Sequence, residues 1–168
     1  SPVYDFEIPP DAVNLEVPSV DVWLHRFPQA HPRIFTRPEM VSSIRQSCKD
    51  ESRSDWTKLR SIADQLLLSE HETEEPPFLP DRRVDYDAFF KVRYKIMWGT
   101  RQFAHGAYTL ALAYLAGDDI RYGRAACRRM ASIARWDPKG SSFLGHNDEA
   151  HMSVIWHGPQ ACDWVWEV

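Results

Sequence analysis

The chain has 168 residues, of which 43% are hydrophobic and 12% aromatic, enough for about one domain with a buried core. Its net charge of −4 provides no basic excess for neutralising phosphates, which argues against nucleic acid as a partner. No apolar run approaches the length of a membrane span, which argues against a transmembrane protein.

Residues 1–33 are rich in proline and show little hydrophobic periodicity. Proline at this density excludes long helices and favours extended segments. We therefore predict an extended arm over residues 1–33 that packs on a helical body, and we assign that body to residues 34–168.

Helical periodicity begins where the arm ends. Residues 36–39 (TRPE) have the form of a capping box with proline in the first turn, which predicts a helix start. A second amphipathic pattern runs from near Ser54 to about Ser69. Residues 70–83 are acidic and then proline-rich, and they predict an exposed loop.

A third helix is predicted from near Asp85 to Leu115, with a break around Gly99 as an open alternative. Gly117 is placed to end it, and Asp118 or Asp119 to cap the next helix. That fourth helix is expected to turn one set of residues inward (Ile120, Tyr122, Ala126, Met130 and Ile133) and its arginines mostly outward (Arg121, Arg124, Arg128 and Arg129).

A fifth helix is predicted after a Gly/Ser loop, with Asn147 or Asp148 as its cap and Pro159 kinking or dividing it. The body contains no strand pattern. The predicted class is therefore all-α, built of antiparallel helical hairpins.

Cysteine and histidine spacing gives no indication of a metal site. The three cysteines are far apart and odd in number, so we interpret them as buried free thiols. His146 and His151 are five residues apart, and His151 and His157 six. Neither interval is the four-residue spacing that places two ligands on one helical face, and no metal is expected.

Residues 145–151 (GHNDEAH) place five polar side chains at a helix start. One interpretation is a cap, in which Asn147 or Asp148 accepts backbone N–H bonds and the other side chains are solvated. The other is a rim of donors and acceptors at the end of a cleft, where Asn147, Asp148 and His151 would contact a sugar hydroxyl.

A second cluster contains Arg93, Tyr94, Trp98 and Arg101, with His105 one turn further on. Such an aromatic stripe is more often core than ligand site, and Trp98 and Trp156 are open to both interpretations. Arginines are harder to bury unpaired. If they face a cavity, they could pair with a carboxylate or a sulfate.

Three segments together resemble the N-terminal helical region of oligoalginate lyases, which belong to the heparinase II/III-like polysaccharide lyases. They are HPRIFTRPEM (31–40), WDPKGSSFLGHNDEAHM (136–152) and ACDWVWE (161–167), and the likeness covers about residues 31–168. The Trp-Asp-x-Lys-Gly turn followed by Asn-Asp-Glu-Ala is its most specific part.

The resemblance implies an (α/α) toroid followed by β-sheet domains, and β-elimination at a uronic acid without a cofactor. In that reaction the C6 carboxylate is neutralised, a base removes the C5 proton and an acid protonates the leaving O4. Arg93 falls where the family has an arginine near the substrate carboxylate. The family's catalytic His and Tyr follow the Asp-Trp motif, so no catalytic residue is expected within this chain.

We therefore expect the N-terminal fragment of a lyase acting on an anionic polysaccharide, either alginate oligosaccharide or heparin and heparan sulfate. The alternative is a non-catalytic helical module that binds carbohydrate or protein. The ending DWVWEV, in mid-pattern, predicts that the remainder of its own chain packs on this part. We expect the parent protein to be periplasmic or secreted.

Overall fold

A computed structural model describes residues 5, 7–13 and 16–168, so part of the predicted N-terminal arm lies outside the described residues. The described chain is all-helical and contains no strand, which confirms the predicted all-α class. None of its helices is long and apolar enough to cross a membrane. The helices are α1 (Val20–Leu24), α2 (Pro38–Ser47), α3 (Arg53–Leu67), α4 (Tyr86–Gly117), α5 (Ile120–Ile133) and α6 (Asp148–Trp164).

Three helices begin at polar caps, of which the sequence predicted those of α5 and α6 and gave Asp85 only as the approximate start of α4. The carboxylates of Asp85 and Asp119 accept backbone N–H bonds at the starts of α4 and α5, at 2.9 and 3.0 Å. The side-chain oxygen of Asn147 does the same for α6 at 3.3 Å. Each cap satisfies an N–H group that has no partner within its helix.

The capping box predicted at residues 36–39 is wrong. Helix α2 does begin at Pro38, but its N-cap is Arg37, which makes no side-chain capping bond. The Thr36 side chain is instead buried, and its hydroxyl has no hydrogen-bond partner in the described structure. The proline at the first helical position therefore marks the helix start better than the threonine does.

Helix α4 is continuous through Gly99, because one glycine costs only about 1 kcal/mol in a helix and packing on several sides offsets that cost. Its last residue is Gly117, and the left-handed conformation expected of a terminating glycine occurs at Asp118, with φ of 59°. Aspartate tolerates this conformation better than most residues, and its carboxylate pairs with Arg45 at 2.7 Å. Helix α6 likewise continues through Pro159, which does not divide it.

Helix α4 is the centre of the molecule and packs against α2, α3, α5 and α6. Rings of α4 and α6 approach each other in pairs that advance in the same direction along both helices, His105 with His157 and Tyr108 with Trp164. The two helices therefore run parallel. Small residues at the helix contacts allow close approach, and most of the fully buried core is alanine: Ala63, Ala104, Ala107, Ala111, Ala113, Ala125, Ala126, Ala150 and Ala161.

The prediction for α5 needs two corrections. Ile120 is exposed, and Arg129 is buried rather than outward, with 3% of its surface exposed. Arg129 donates to the Ser69 hydroxyl at 2.6 Å and to the Phe103 carbonyl at 3.2 Å, and its guanidinium lies over the Phe103 ring. These bonds compensate for the burial of Arg129. The helical periodicity of α5 cannot show them, because the bonding partners lie in other parts of the chain.

The prediction that all three cysteines are buried is also wrong. Cys48 and Cys127 are half-buried and Cys162 is exposed, and all three are free thiols. Burial raises the pKa of the Cys48 and Cys127 thiols, which lowers their reactivity.

The N-terminal segment joins the body through one buried carboxylate. Asp163, near the end of α6, accepts the backbone N–H groups of Arg33 and Ile34 at 2.8 Å each. Its other oxygen lies 2.6 Å from Nδ1 of His31. The Trp164 indole donates to the Ile34 carbonyl at 3.0 Å. By contrast, no residue of α1 is buried.

Candidate functional site

An open groove of about 540 Å³ lies between α4 and α6. Its walls are aromatic and its polar groups come from both helices, as expected for a ligand site with a few convergent polar groups. We call it the α4–α6 groove. It is lined by Trp98, Arg101, Gln102, His105, Glu149, Met152, Ser153, Trp156 and His157.

Helical spacing explains how the groove is built. Trp98, Arg101 and His105 follow one another at intervals of three and four residues, so they share one face of α4. Ser153 and Trp156 are spaced in the same way on α6. Because α4 and α6 run parallel, the two faces stay side by side over about two turns.

The two tryptophans that the sequence singled out lie in this groove. Trp98 and Trp156 are 41% and 66% exposed, so neither is a core residue. The guanidinium of Arg101 lies 5.8 Å from the centre of the Trp98 ring, within the range of a cation–π interaction. Exposed indole rings beside a cationic donor are suited to binding an anionic sugar.

Arg93 lies at one end of the groove and is already paired. Its Nη2 is 3.1 Å from the Asp148 carboxylate and 3.3 Å from that of Glu149. Arg101, in contrast, makes no ion pair with any described residue. Of the two arginines considered from the sequence, Arg101 is therefore the one free to bind an external anion.

The polar loop does not form a single rim. Asn147 is almost fully buried as the α6 cap, as one of the two interpretations predicted, and Asp148 pairs with Arg93. His151 faces a different groove, between α5 and α6, whose lining is mostly apolar and includes Met130 and Ile155. The six candidate residues thus lie in three places: Trp98 and Trp156 in the α4–α6 groove, Arg93, Asn147 and Asp148 at the start of α6, and His151 in the groove between α5 and α6.

His105 and His157 line the α4–α6 groove, and Tyr108 packs against both of them; we call these three residues the histidine cluster. The ring centres of His105 and His157 are 5.3 Å apart, and that of Tyr108 lies 5.6 Å from His157. The Nδ1 atom of His157 is buried and has no hydrogen-bond partner in the described structure. Burial, together with the nearby His105 and Arg101 charges, lowers the pKa of His157.

From the sequence, His105 lies one turn beyond the aromatic stripe, whereas Tyr108 and His157 are not identifiable as site residues by helical spacing alone. His157 follows Trp156 directly, so a histidine next to an exposed tryptophan was an available signal. The contact of His157 with His105 and Tyr108 depends on the parallel packing of α4 on α6, which periodicity within one helix cannot show.

Within the described residues, no group of three or more His, Cys, Asp or Glu side chains is arranged to hold a metal ion. Comparison of the chain with models of protein families, with curated proteins and with solved structures finds no match.

Proposed function

We propose that this chain is the N-terminal part of an (α/α) toroid in a polysaccharide lyase, and that its α4–α6 groove binds an anionic uronate saccharide. The preferred substrate class is alginate oligosaccharide, with heparin or heparan sulfate as the closest competitor. The observation that carries the proposal is the exposed pair Trp98 and Trp156 beside the unpaired guanidinium of Arg101.

The chemistry of uronate β-elimination explains why such a groove is useful. The proton on C5 is adjacent to a carboxylate, and it becomes removable only when that negative charge is neutralised. A guanidinium does this well because its planar fork matches the two carboxylate oxygens. We propose that this part of the protein binds and orients the saccharide, and we assign it no catalytic acid or base.

The packing of the resembling segments supports the proposal. The HPR segment (31–33) is bound to Asp163 of the Asp-Trp motif. In the Trp-Asp-x-Lys-Gly turn, Glu75 accepts N–H bonds from Asp137 and Ser142, and a side chain at Gly140 would come within 2.4 Å of its carboxylate. Two of the three segments that carry the resemblance therefore contact each other directly.

A second candidate is a carbohydrate-binding module without catalysis. The openness of the groove and its two exposed indole rings favour it, because these features are sufficient for binding a sugar without any chemistry. The two proposals differ in whether a bound oligosaccharide is cleaved.

The test compares Trp156→Ala with Trp23→Ala in the longest protein that contains this chain. Trp23 is a matched control because it is also exposed, at 54%, and lies on α1. Elimination produces an unsaturated uronate that absorbs in the ultraviolet. We expect absorbance to rise with alginate oligosaccharides, and Trp156→Ala to lower kcat/KM roughly 10-fold, as loss of about 1.4 kcal/mol of stacking would.

Unchanged activity in Trp156→Ala would show that the α4–α6 groove does not bind the substrate. Saccharide binding by calorimetry without any ultraviolet product would favour the binding module. No binding and no product with either alginate or heparin would contradict both candidates.

Arg93 provides a separate test of substrate contact. If its role is to neutralise Asp148 and Glu149, Arg93→Ala should weaken uronate binding roughly 3- to 10-fold at low salt through repulsion, and the effect should fade at high salt. The triple variant Arg93→Ala/Asp148→Asn/Glu149→Gln should then restore binding. A loss that salt and the triple variant leave unchanged would instead indicate direct contact between Arg93 and the substrate.

A further inference from the structure

The histidine cluster has three properties that a binding site for a single anionic group needs. Its two histidines line an open groove, so a ligand can reach them. Two imidazole rings and one guanidinium converge there from α4 and α6. One of these groups, Nδ1 of His157, is buried without a partner in the described structure, and a buried polar atom left unpaired is destabilising.

The charges around His157 favour an anion at this position. Arg101, His105 and Tyr108 face it from α4, and Glu149 lines the same groove from α6. The Glu149 carboxylate is bound by Arg93 at the other end of the groove. Arg101 has no ion-pair partner among the described residues, and an incoming carboxylate would be attracted to it.

We propose that Arg101, His105 and His157 bind the carboxylate group of the saccharide, and that His157 takes up a proton when this group binds. The inference rests on the proposed function in that it takes a uronate saccharide to occupy the groove. Arg101 supplies a permanent charge, His105 supplies a ring donor, and His157 gains a second N–H donor when it is protonated.

The direction of the proton transfer follows from the electrostatics of the free site. Burial, His105 and Arg101 all disfavour a positive charge on His157, and its pKa is therefore below the ordinary value. A bound carboxylate opposes these effects and raises that pKa. Between the two pKa values the free protein has a neutral His157 and the complex a charged one, so binding takes up a proton and strengthens as pH falls through this interval.

Nuclear magnetic resonance of the histidine ring signals tests the proposal. The ring signal of His157 is assigned by its absence in His157→Asn. The pKa of His157 is then measured in the protein without ligand, with methyl glucuronide and with the uncharged methyl glucoside. We expect methyl glucuronide to raise it by about one unit, which corresponds to roughly tenfold preference of the carboxylate for the protonated form. We expect methyl glucoside to leave it unchanged.

Two variants make the result specific. Arg101→Gln should reduce the effect of methyl glucuronide. Arg124→Gln, an exposed arginine on α5, should not. A pKa of His157 that stays constant at the highest methyl glucuronide concentration, or that rises equally with both sugars, would overturn the proposal.

Calorimetry with a uronate oligosaccharide in two buffers of different ionisation enthalpy separates this inference from the proposed function. Binding with proton uptake that His157→Asn abolishes supports both. Binding without proton uptake overturns the proposed role of His157 but remains consistent with saccharide binding in the α4–α6 groove. A His157 pKa that responds to methyl glucuronide in a protein that neither binds nor cleaves the oligosaccharide supports the carboxylate site and contradicts the lyase.

Discussion

Asp163 shows how one residue can hold two distant parts of the chain together. It is 4% exposed, and it accepts two backbone N–H groups and contacts His31, all about 130 residues earlier in sequence. A carboxylate is the only common side chain that can accept this many bonds at once. The His-Pro-Arg and Asp-Trp motifs, which looked like separate features in the sequence, are thus one structural unit.

We expect Asp163→Ala to lower the free energy of unfolding by about 3 kcal/mol, because it leaves two backbone donors and His31 without their acceptor. Asp55→Ala is the control: Asp55 lies on the exposed surface of α3, 78% exposed, and pairs only with Lys58. Its effect should stay within about 0.5 kcal/mol. Urea denaturation measures both, and equal effects would show that the Asp163 bonds contribute little.

At the scale of elements, two glycines in the same helix have opposite roles. A side chain at Gly117 would lie 2.2 Å from the Trp56 ring, which packs against the end of α4, whereas a side chain at Gly99 meets nothing within 4 Å. Gly117 is therefore needed for the contact between α3 and α4. Gly99 is not needed for packing.

This difference predicts opposite signs for one substitution. Gly99→Ala should stabilise the protein by about 0.5–1 kcal/mol, because alanine loses less backbone entropy in a helix. Gly117→Ala should destabilise it by about 1–3 kcal/mol, because the indole ring must move out of a packed position. Thermal unfolding followed by circular dichroism checks both, and a stabilising Gly117→Ala would show that Trp56 has room to move.

The elements themselves could largely be predicted from the sequence, and the reason is local. The caps at Asp85, Asp119 and Asn147 act within a few residues of where they stand, so their side chains and the helix starts they satisfy are visible together in the sequence. Features that depend on contacts between elements could not be predicted. Examples are the hydrogen bond from the buried Arg129 to the Phe103 carbonyl and the pairing of Arg93 with Asp148 at the start of α6.

At the scale of the whole molecule, the same limit applies to the site. Trp98 and Trp156 could be singled out as candidates because tryptophan is conspicuous, but nothing in their positions along the chain places them in one groove. Their groove exists because α4 and α6 run parallel and adjacent. His157 joins His105 for the same reason, and a parallel pairing of non-consecutive helices is a property of the packed chain.

Packing also leaves a large apolar surface open beside this groove. Side chains that are about half exposed or more continue along the outer faces of α4 and α6: Tyr86, Phe90, Tyr94, Met152 and Trp156. Neighbouring rings of the α4 series lie 6.0–6.5 Å apart, from Tyr86 through Phe90 and Tyr94 to Trp98. Contiguous apolar surface of this kind marks a place where other protein packs.

We therefore expect the isolated chain to self-associate through this surface, because a second copy can remove the aromatic side chains from water. Light scattering should show an apparent mass that rises with protein concentration. Phe90→Lys/Tyr94→Lys should shift the chain towards the monomer, since each lysine interrupts the aromatic series. Val84→Lys, at a position 85% exposed and just before α4, should not. A wild-type chain that stays monomeric at every concentration, or a double variant that associates as strongly, would mean that the aromatic face of α4 does not drive association.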